Sequence, residues 1–174
     1  SIDKGEFVVV LGASGAGKTT ILNLLGGMDV LSSGEIVVDG RDISKANEKE
    51  LCDYRRFDIG FVFQFYNLVQ NLTAFENVEI PLVLAKENRK SRKIKVIEAL
   101  RKVGLEKYAY KDVTNLSGGE KQRVAIARAI VNNPDIILAD EPTGALDTKT
   151  GEIIFDLLKT LSANGKTVII ITHD

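Results

Sequence analysis

The chain has 174 residues, 44% of them hydrophobic and 27% charged, and its 23 basic against 24 acidic side chains give a net charge of −1. That length fits one domain able to bury a sizeable core, and the near-zero charge leaves no footprint for nucleic acid or for a polybasic membrane contact. Cys52 is the only cysteine, which excludes an internal disulfide and suggests a reducing compartment. In chain order, FVVVL (7–11) reads as a buried strand, followed by a glycine-rich turn and a helix through about Leu25. GEIVVDG (34–40) and DIGFVF (58–63) read as further strands. From about Thr73 to Asn132 strand signals are few, and Ile94, Ile97, Leu100 and Val103 keep helical spacing. The cluster Arg89, Lys90, Arg92, Lys93 and Lys95 in that interval reads as a solvated helix face. DIILAD (135–140) and TVIIIT (167–172) are strand-like, and TGEIIFDLLKTL (150–161) between them is helical, ending at the Asn164-Gly165 cap signal. β-Branched runs alternating with helical patterns predict an α/β domain with a mainly parallel sheet. The expected core spans about 1–68 and 133–174, with a helical insertion at about 69–132. No apolar run approaches the ~20 residues that cross a bilayer, and no secretory signal is evident.

Three stretches carry chemistry. GASGAGKT (12–19) matches the phosphate-binding loop pattern between a strand and a helix. Backbone N–H groups of Ser14, Gly15, Ala16, Gly17, Lys18 and Thr19 form the expected phosphate cradle, and Gly12, Ala13 and Thr20 beside them count among the expected nucleotide-binding residues. Lys18 is expected to reach the β- and γ-phosphates and the Thr19 hydroxyl to ligate Mg²⁺. IILADE (136–141) is an apolar strand ending in two acids. Asp140 is the expected metal carboxylate, and Glu141 the general base for an attacking water. In LSGGE (116–120), Ser117 and Glu120 have the spacing of a capping box, which leaves Gly118 and Gly119 unexplained by the cap. Side-chain-free backbone at a helix start suits close approach of an anion. Gln64 and His173, taken singly, read as an ordinary loop residue and a structural histidine. Their places at strand ends of one expected sheet make them site candidates.

In this order, P-loop, Gln64, LSGGE, ILADE (137–141), GALD (144–147) and His173, the motifs resemble those of the ATP-binding subunits of ABC transporters, over nearly the whole chain. The fold so implied is a P-loop NTPase core with an inserted helical subdomain. GGMD (26–29), SSGE (32–35), FQFYNLVQNLTAFENVEIPL (63–82) and EPTGALD (141–147) look most like the bacterial subgroup of lipoprotein release, macrolide efflux and antimicrobial-peptide export. The resemblance implies that two subunits, identical or paralogous, sandwich ATP head to tail. Ser117, Gly118, Gly119 and Glu120 of one subunit then contact the nucleotide held on the other's P-loop, and Asp147 lies across the interface. Gln64 joins Thr19 in sensing Mg²⁺, and His173 contacts the γ-phosphate. Lys18, Gln64, Glu141 and His173 make up the catalytic set. The implied partner is an integral membrane permease at the cytoplasmic face, with no nucleic acid. Phe65, Tyr66 and Leu68 either border the groove for that partner's helix or pack in the core.

The chain opens on Ser1 and stops just after a strand-like run, so an excerpt of a longer protein is expected. In this family an adenine-stacking aromatic lies upstream of the P-loop, and further strands and helices follow the switch histidine. The alternatives are a non-transport ABC ATPase of chromosome maintenance and DNA repair, or a translation factor with tandem cassettes. The short interval from Gln64 to Ser117, without sustained heptads or paired cysteines, disfavours the first. Gly144-Ala145 in place of Asn-His disfavours the second. The intact Glu141 argues against a regulatory module without turnover.

Overall fold

A computed structural model describes residues 1–174. In chain order its elements are β1 (Phe7–Leu11), α1 (Lys18–Leu25), β2 (Val37–Val38), β3 (Arg41–Asp42), α2 (Glu48–Phe57) and β4 (Ile59–Phe63). Then follow α3 (Ala74–Leu84), α4 (Arg89–Lys102), α5 (Gly118–Ile130), β5 (Ile136–Asp140), α6 (Thr148–Ala163) and β6 (Thr167–Thr172). The four longer strands pair in the order β1-β6-β5-β4, all parallel. The register sets Leu11 beside Thr172, and Asp140 beside Phe63 and Ile171, so all four strands finish along one edge.

Strand side chains alternate between two cores, as the pleat requires. Val62, Ile137, Ala139, Val168 and Ile170 enter a cluster of 26 buried residues that continues through α3, α4, α5 and α6. Ile59, Leu138, Ile169 and Ile171 face the other way, onto Leu22 of α1 and Tyr54 of α2. Helices α3 to α5 fill the interval 69–132, and their buried Val78, Leu82, Leu100 and Val124 share one continuous core with the sheet. α5 lies close on β4: a Cβ on Gly60 would stand 2.4 Å from the Ala129 carbonyl oxygen. No helix is long and apolar enough to cross a membrane.

Three sequence expectations change, and one helix is additional to them. FVVVL is a strand, but an edge strand with a single neighbour, which leaves Val9 37% and Leu11 68% exposed. GEIVVDG does not join the main sheet. Asp39 and Gly40 take φ of +49° and +78°, and this turn folds Val37–Val38 back on Arg41–Asp42 as a separate two-stranded hairpin. α2 is the additional helix, and Asn47 and Glu50 form a complete capping box at its start. In α4 the buried stripe is Val96, Ala99, Leu100 and Val103, while Ile94 is 61% exposed. Positions 96, 99, 100 and 103 keep the i, i+3, i+4, i+7 spacing, and Ile94 lies on the opposite side of the helix. The basic cluster is a surface face as expected, with Arg92 paired to Glu79 and Lys95 to Glu87.

Candidate functional site

Parallel strands that end in register bring their following residues together. β1 runs into the 12–17 loop, β4 into Gln64, β5 into Asp140 and Glu141, and β6 into His173. Of these, Ser14, Gly15, Gly17, Gln64, Asp140, Glu141 and His173 line an open cavity of about 670 Å³ together with Lys18, Thr19 and Thr20, while Gly12, Ala13 and Ala16 do not reach it. Another cavity, of about 370 Å³, lies at the amino-terminal edge of the sheet beneath the β2–β3 hairpin, lined largely by side chains such as Leu25, Tyr54 and Leu138. Ligands of open parallel sheets bind outside the carboxyl ends, which singles out the first cavity.

The start of α1 differs from every other α-helix start in the molecule. Asn47, Thr73, Asn88, Ser117 and Asp147 cap α2, α3, α4, α5 and α6 with a side-chain oxygen. At α1 the capping position is Gly17, at φ +83° in the left-handed region, and no side chain caps it. Only glycine adopts that conformation without steric cost, and it brings no oxygen to the N–H groups of the first turn. Those donors and the positive pole of the helix stay available to an anion. Lys18 is 9% exposed, and its Nζ donates to the carbonyls of Gly12 and, at 2.7 Å, Ala13. The Thr19 hydroxyl donates to Asp140 Oδ2 at 3.1 Å, joining the end of β5 to the start of α1.

Glu141 follows β5 at φ +48°, a left-handed conformation that costs a non-glycine residue about 1–3 kcal/mol. Its N–H donates to the Ile171 carbonyl at 2.9 Å, and its own carbonyl accepts from Gly144 N–H at 3.1 Å. One carboxylate oxygen lies 2.8 Å from His173 Nδ1, and the other accepts from the Thr172 hydroxyl at 3.1 Å. Because a carboxylate only accepts, the bond to His173 requires the proton on Nδ1. Gln64 lies against the same turn: a Cβ on Gly144 would stand 2.7 Å from Gln64 Nε2.

LSGGE and Asp147 lie outside this cavity. Ser117 N–H donates to Glu120 at 2.8 Å and Glu120 N–H to the Ser117 hydroxyl at 3.3 Å, so the capping box is complete. The N–H groups of Gly118 and Gly119 have no partner within the chain. Gly119 has a structural role as well, since a Cβ there would stand 2.4 Å from Thr150 Cγ2 at the start of α6. Asp147 caps α6, accepting from Thr150 N–H at 3.0 Å and from the Thr150 hydroxyl at 2.7 Å. Those bonds to its charged form hold the Asp147 carboxyl below its ordinary range.

Leu68 is buried in the core, Tyr66 packs beside it, and Phe65 is 72% exposed at the cavity rim. A separate groove between the sheet and the helices is bordered by Arg55, Arg56, Phe61, Pro81, Leu84 and Arg128. Arg128 was not singled out in the sequence. Its guanidinium donates to the carbonyls of Asn67 at 2.7 Å and Tyr66 at 2.9 Å, two residues held at φ +52° and +65°. Burial lowers its affinity for its proton. A cation inside the apolar run VAIARAI was the available signal.

The ABC transporter family profile matches residues 1–144. Over 173 residues the chain is 50% identical to an uncharacterized ABC transporter ATP-binding protein, YknY, of Bacillus subtilis (strain 168), covering 99% of this chain and 75% of that protein. The chain belongs to the ATP-binding domains of ABC transporters. This ABC domain is also 49% identical over 174 residues to the macrolide export ATP-binding/permease protein MacB of Photorhabdus laumondii, of which it spans 27%. Among solved structures it matches the dimeric ABC transporter cassette MJ0796 of Methanocaldococcus jannaschii with TM-score 0.88 and 49% identity, covering 100% of this chain and 77% of that one. A post-hydrolysis state of the same cassette, bound to ADP and Pi, matches with TM-score 0.87 and 48% identity. The ABC domain described here binds and hydrolyses ATP.

Proposed function

We propose that this domain binds Mg-ATP in the cavity at the strand ends and hydrolyses it when a second ATP-binding subunit closes over it. Closure then drives an integral membrane permease at the cytoplasmic face. One observation carries the reading: the strand ends gather Lys18, Thr19, Gln64, Asp140, Glu141 and His173 into one cavity, while LSGGE stays outside it. A domain that holds phosphate with one helix start and presents another elsewhere is built to share its nucleotide with a second copy or a paralogue. The dimeric MJ0796 cassette supports the pairing, and the ATP-binding/permease MacB supports the membrane partner. The transporter names of these relatives favour transport over chromosome or translation work.

The roles divide as follows. The uncapped first turn of α1 and the 12–17 loop bind the phosphates, and Lys18 turns from its two carbonyls to their charge. Thr19, Asp140 and Gln64 offer hard oxygen donors with a single carboxylate, a set that suits Mg²⁺, which keeps its waters and takes phosphate oxygens. Mg²⁺ bound there supplies positive charge to the phosphates. Glu141 accepts a proton from the attacking water, and its left-handed backbone with the Thr172 bond fixes its carboxylate. His173 holds Glu141 through Nδ1 until ATP arrives and then turns to the γ-phosphate. Ser117, Gly118, Gly119 and Glu120 meet the partner's ATP, and Asp147 lies at that interface.

Replacing Glu141 by Gln in the full-length subunit tests the reading. Removing a general base slows turnover on the order of 10² to 10⁴-fold. Glu141→Gln is therefore expected to bind ATP with near-native affinity, to hydrolyse it slowly and to accumulate as an ATP-bound dimer on size exclusion. Undiminished hydrolysis overturns the assignment.

A further inference from the structure

One buried side chain on α5 connects the end of β4, just before Gln64, with the loop just after Glu141. Gln122 is 0% exposed, and its Nε2 donates to the Phe63 carbonyl at 3.0 Å and to the Pro142 carbonyl at 2.6 Å. Phe63 directly precedes Gln64, and Pro142 directly follows Glu141. Both partners are acceptors, so the amide orientation is dictated: only the NH₂ group can face them. Its Oε1 is buried with no partner at all.

The other fully buried amide behaves differently. Asn77 uses both ends, donating to the Val69 and Thr73 carbonyls at 3.1 Å and accepting from Val69 N–H at 2.8 Å. Gln122 is half satisfied, and an unmet buried carbonyl opposes folding. What the amide contributes in return is its two donors, placed at one spot. The last paired residues of β4 and β5 are Phe63 and Asp140. Beyond them the sheet no longer sets the spacing, and Glu141 turns off at φ +48°. Gln122 is the clasp at the end of that ladder, with one N–H on Phe63, the last paired residue of β4, and the other on Pro142 in the loop after β5.

We propose that Gln122 is a positioning residue for ATP hydrolysis: its amide sets the spacing between Gln64 and Glu141 in one subunit without touching the nucleotide. The proposal rests on the reading of Glu141 and Gln64 given above. It predicts an effect on the chemical step and not on nucleotide affinity, because the amide bonds only Phe63 and Pro142, and Lys18 bonds only its own loop. Misplacing a reacting group by about 1 Å is enough to slow a reaction about 10²-fold.

The test uses the full-length subunit with Gln122→Leu and Gln122→Met, which remove both donors and keep most of the buried volume. For each, kcat and KM for ATP are measured, together with equilibrium ATP affinity and Tm. The expected result is a kcat lowered about 10- to 100-fold, with KM and affinity within about threefold of native. Adding Gln122→Leu to Glu141→Gln is expected to slow hydrolysis no further, because the amide acts through the glutamate. A native kcat in both variants overturns the proposal. So does a parallel loss of ATP affinity and kcat, or failure of both variants to fold, since Gln122 then serves the fold alone. If Glu141→Gln itself turns over at the native rate, the reading of Glu141 falls and takes the proposal with it. If Glu141→Gln is slow and Gln122→Leu is not, only the proposal falls.

Discussion

Two helices of this domain begin with glycine-rich segments, and they are built on opposite plans. α1 begins after Gly17, without a side-chain cap, beside a lysine whose Nζ rests on the carbonyls of its own loop. α5 begins after Ser117, with a complete capping box that fills the N–H groups of Ser117 and Glu120 and leaves only Gly118 and Gly119 open. The first start presents a whole turn of free donors and a cation, which is enough to hold a polyphosphate by itself. The second has two free donors and a carboxylate in its first turn, a start that suits the proposed role of adding contacts to an anion already held elsewhere. On the function proposed above, side-chain capping separates the primary phosphate site from the contributing one.

The largest effect expected from breaking this contrast is at α1. Lys18→Ala removes the cation, and charge-assisted bonds of about 1.5–3 kcal/mol imply ATP binding weaker by about 10- to 100-fold. Isothermal titration of the full-length variant measures this, and native affinity would show that the two starts do not differ as argued. Next comes a mixing experiment between Lys18→Ala and Ser117→Arg subunits, each expected to be inactive alone. In a mixed dimer one composite site pairs the intact phosphate loop of one chain with the intact α5 start of the other. Part of the lost ATP turnover should return on mixing. No recovery in dimers proven to form would mean that α5 serves its own chain.

A smaller effect separates the two roles of the α5 glycines. Gly119→Ala forces a methyl against Thr150 Cγ2, and overpacking of this kind costs about 1–3 kcal/mol. Thr150→Ser removes that methyl while keeping the hydroxyl that Asp147 accepts, so the double variant should regain most of the stability in denaturant melts. If it does not, the clash with α6 is not what requires glycine there. The smallest effect is in pH dependence. The Asp147 carboxyl is held below its ordinary value of 3.8 by the Thr150 N–H and hydroxyl, so its cap is fully formed above that value. Its contribution is lost as pH falls below 3.8 through the lowered value, where protonation removes the acceptor charge. Asp147→Asn should flatten the acid end of the stability curve relative to the native domain. An unchanged slope would mean that the cap bonds do not depend on the charge.

Much of this domain could be read from residues close together in the chain. The phosphate loop, the paired acids after β5, the capping box of α5 and the Gly165 stop of α6 are short-range patterns, because backbone conformation and helix capping depend on neighbours a few positions apart. The alternation of strands with helices carried the fold class for the same reason. Where the reading went astray, the missing information was a distant partner. Val9 and Leu11 are exposed because β1 has β6 on one side only, and Ile94 is exposed because α4 turns a different stripe toward α3 and α5. The α2 box and the Asp39-Gly40 turn, by contrast, are short-range signals present in the sequence itself.

The sequence by itself determined which side chains can bind phosphate, hold a metal and move a proton, since those are properties of residue type and local spacing. Only the tertiary structure decided how they are held. It set Lys18 on two carbonyls of its own loop and Glu141 between His173 and Thr172. It also packed Gly119 under Thr150, anchored Tyr66 and Asn67 to Arg128, and placed Gln122 between Phe63 and Pro142. Except for the loop around Lys18, each of these contacts joins segments that lie on different elements. Their geometry follows from sheet order and helix packing, which no local pattern encodes.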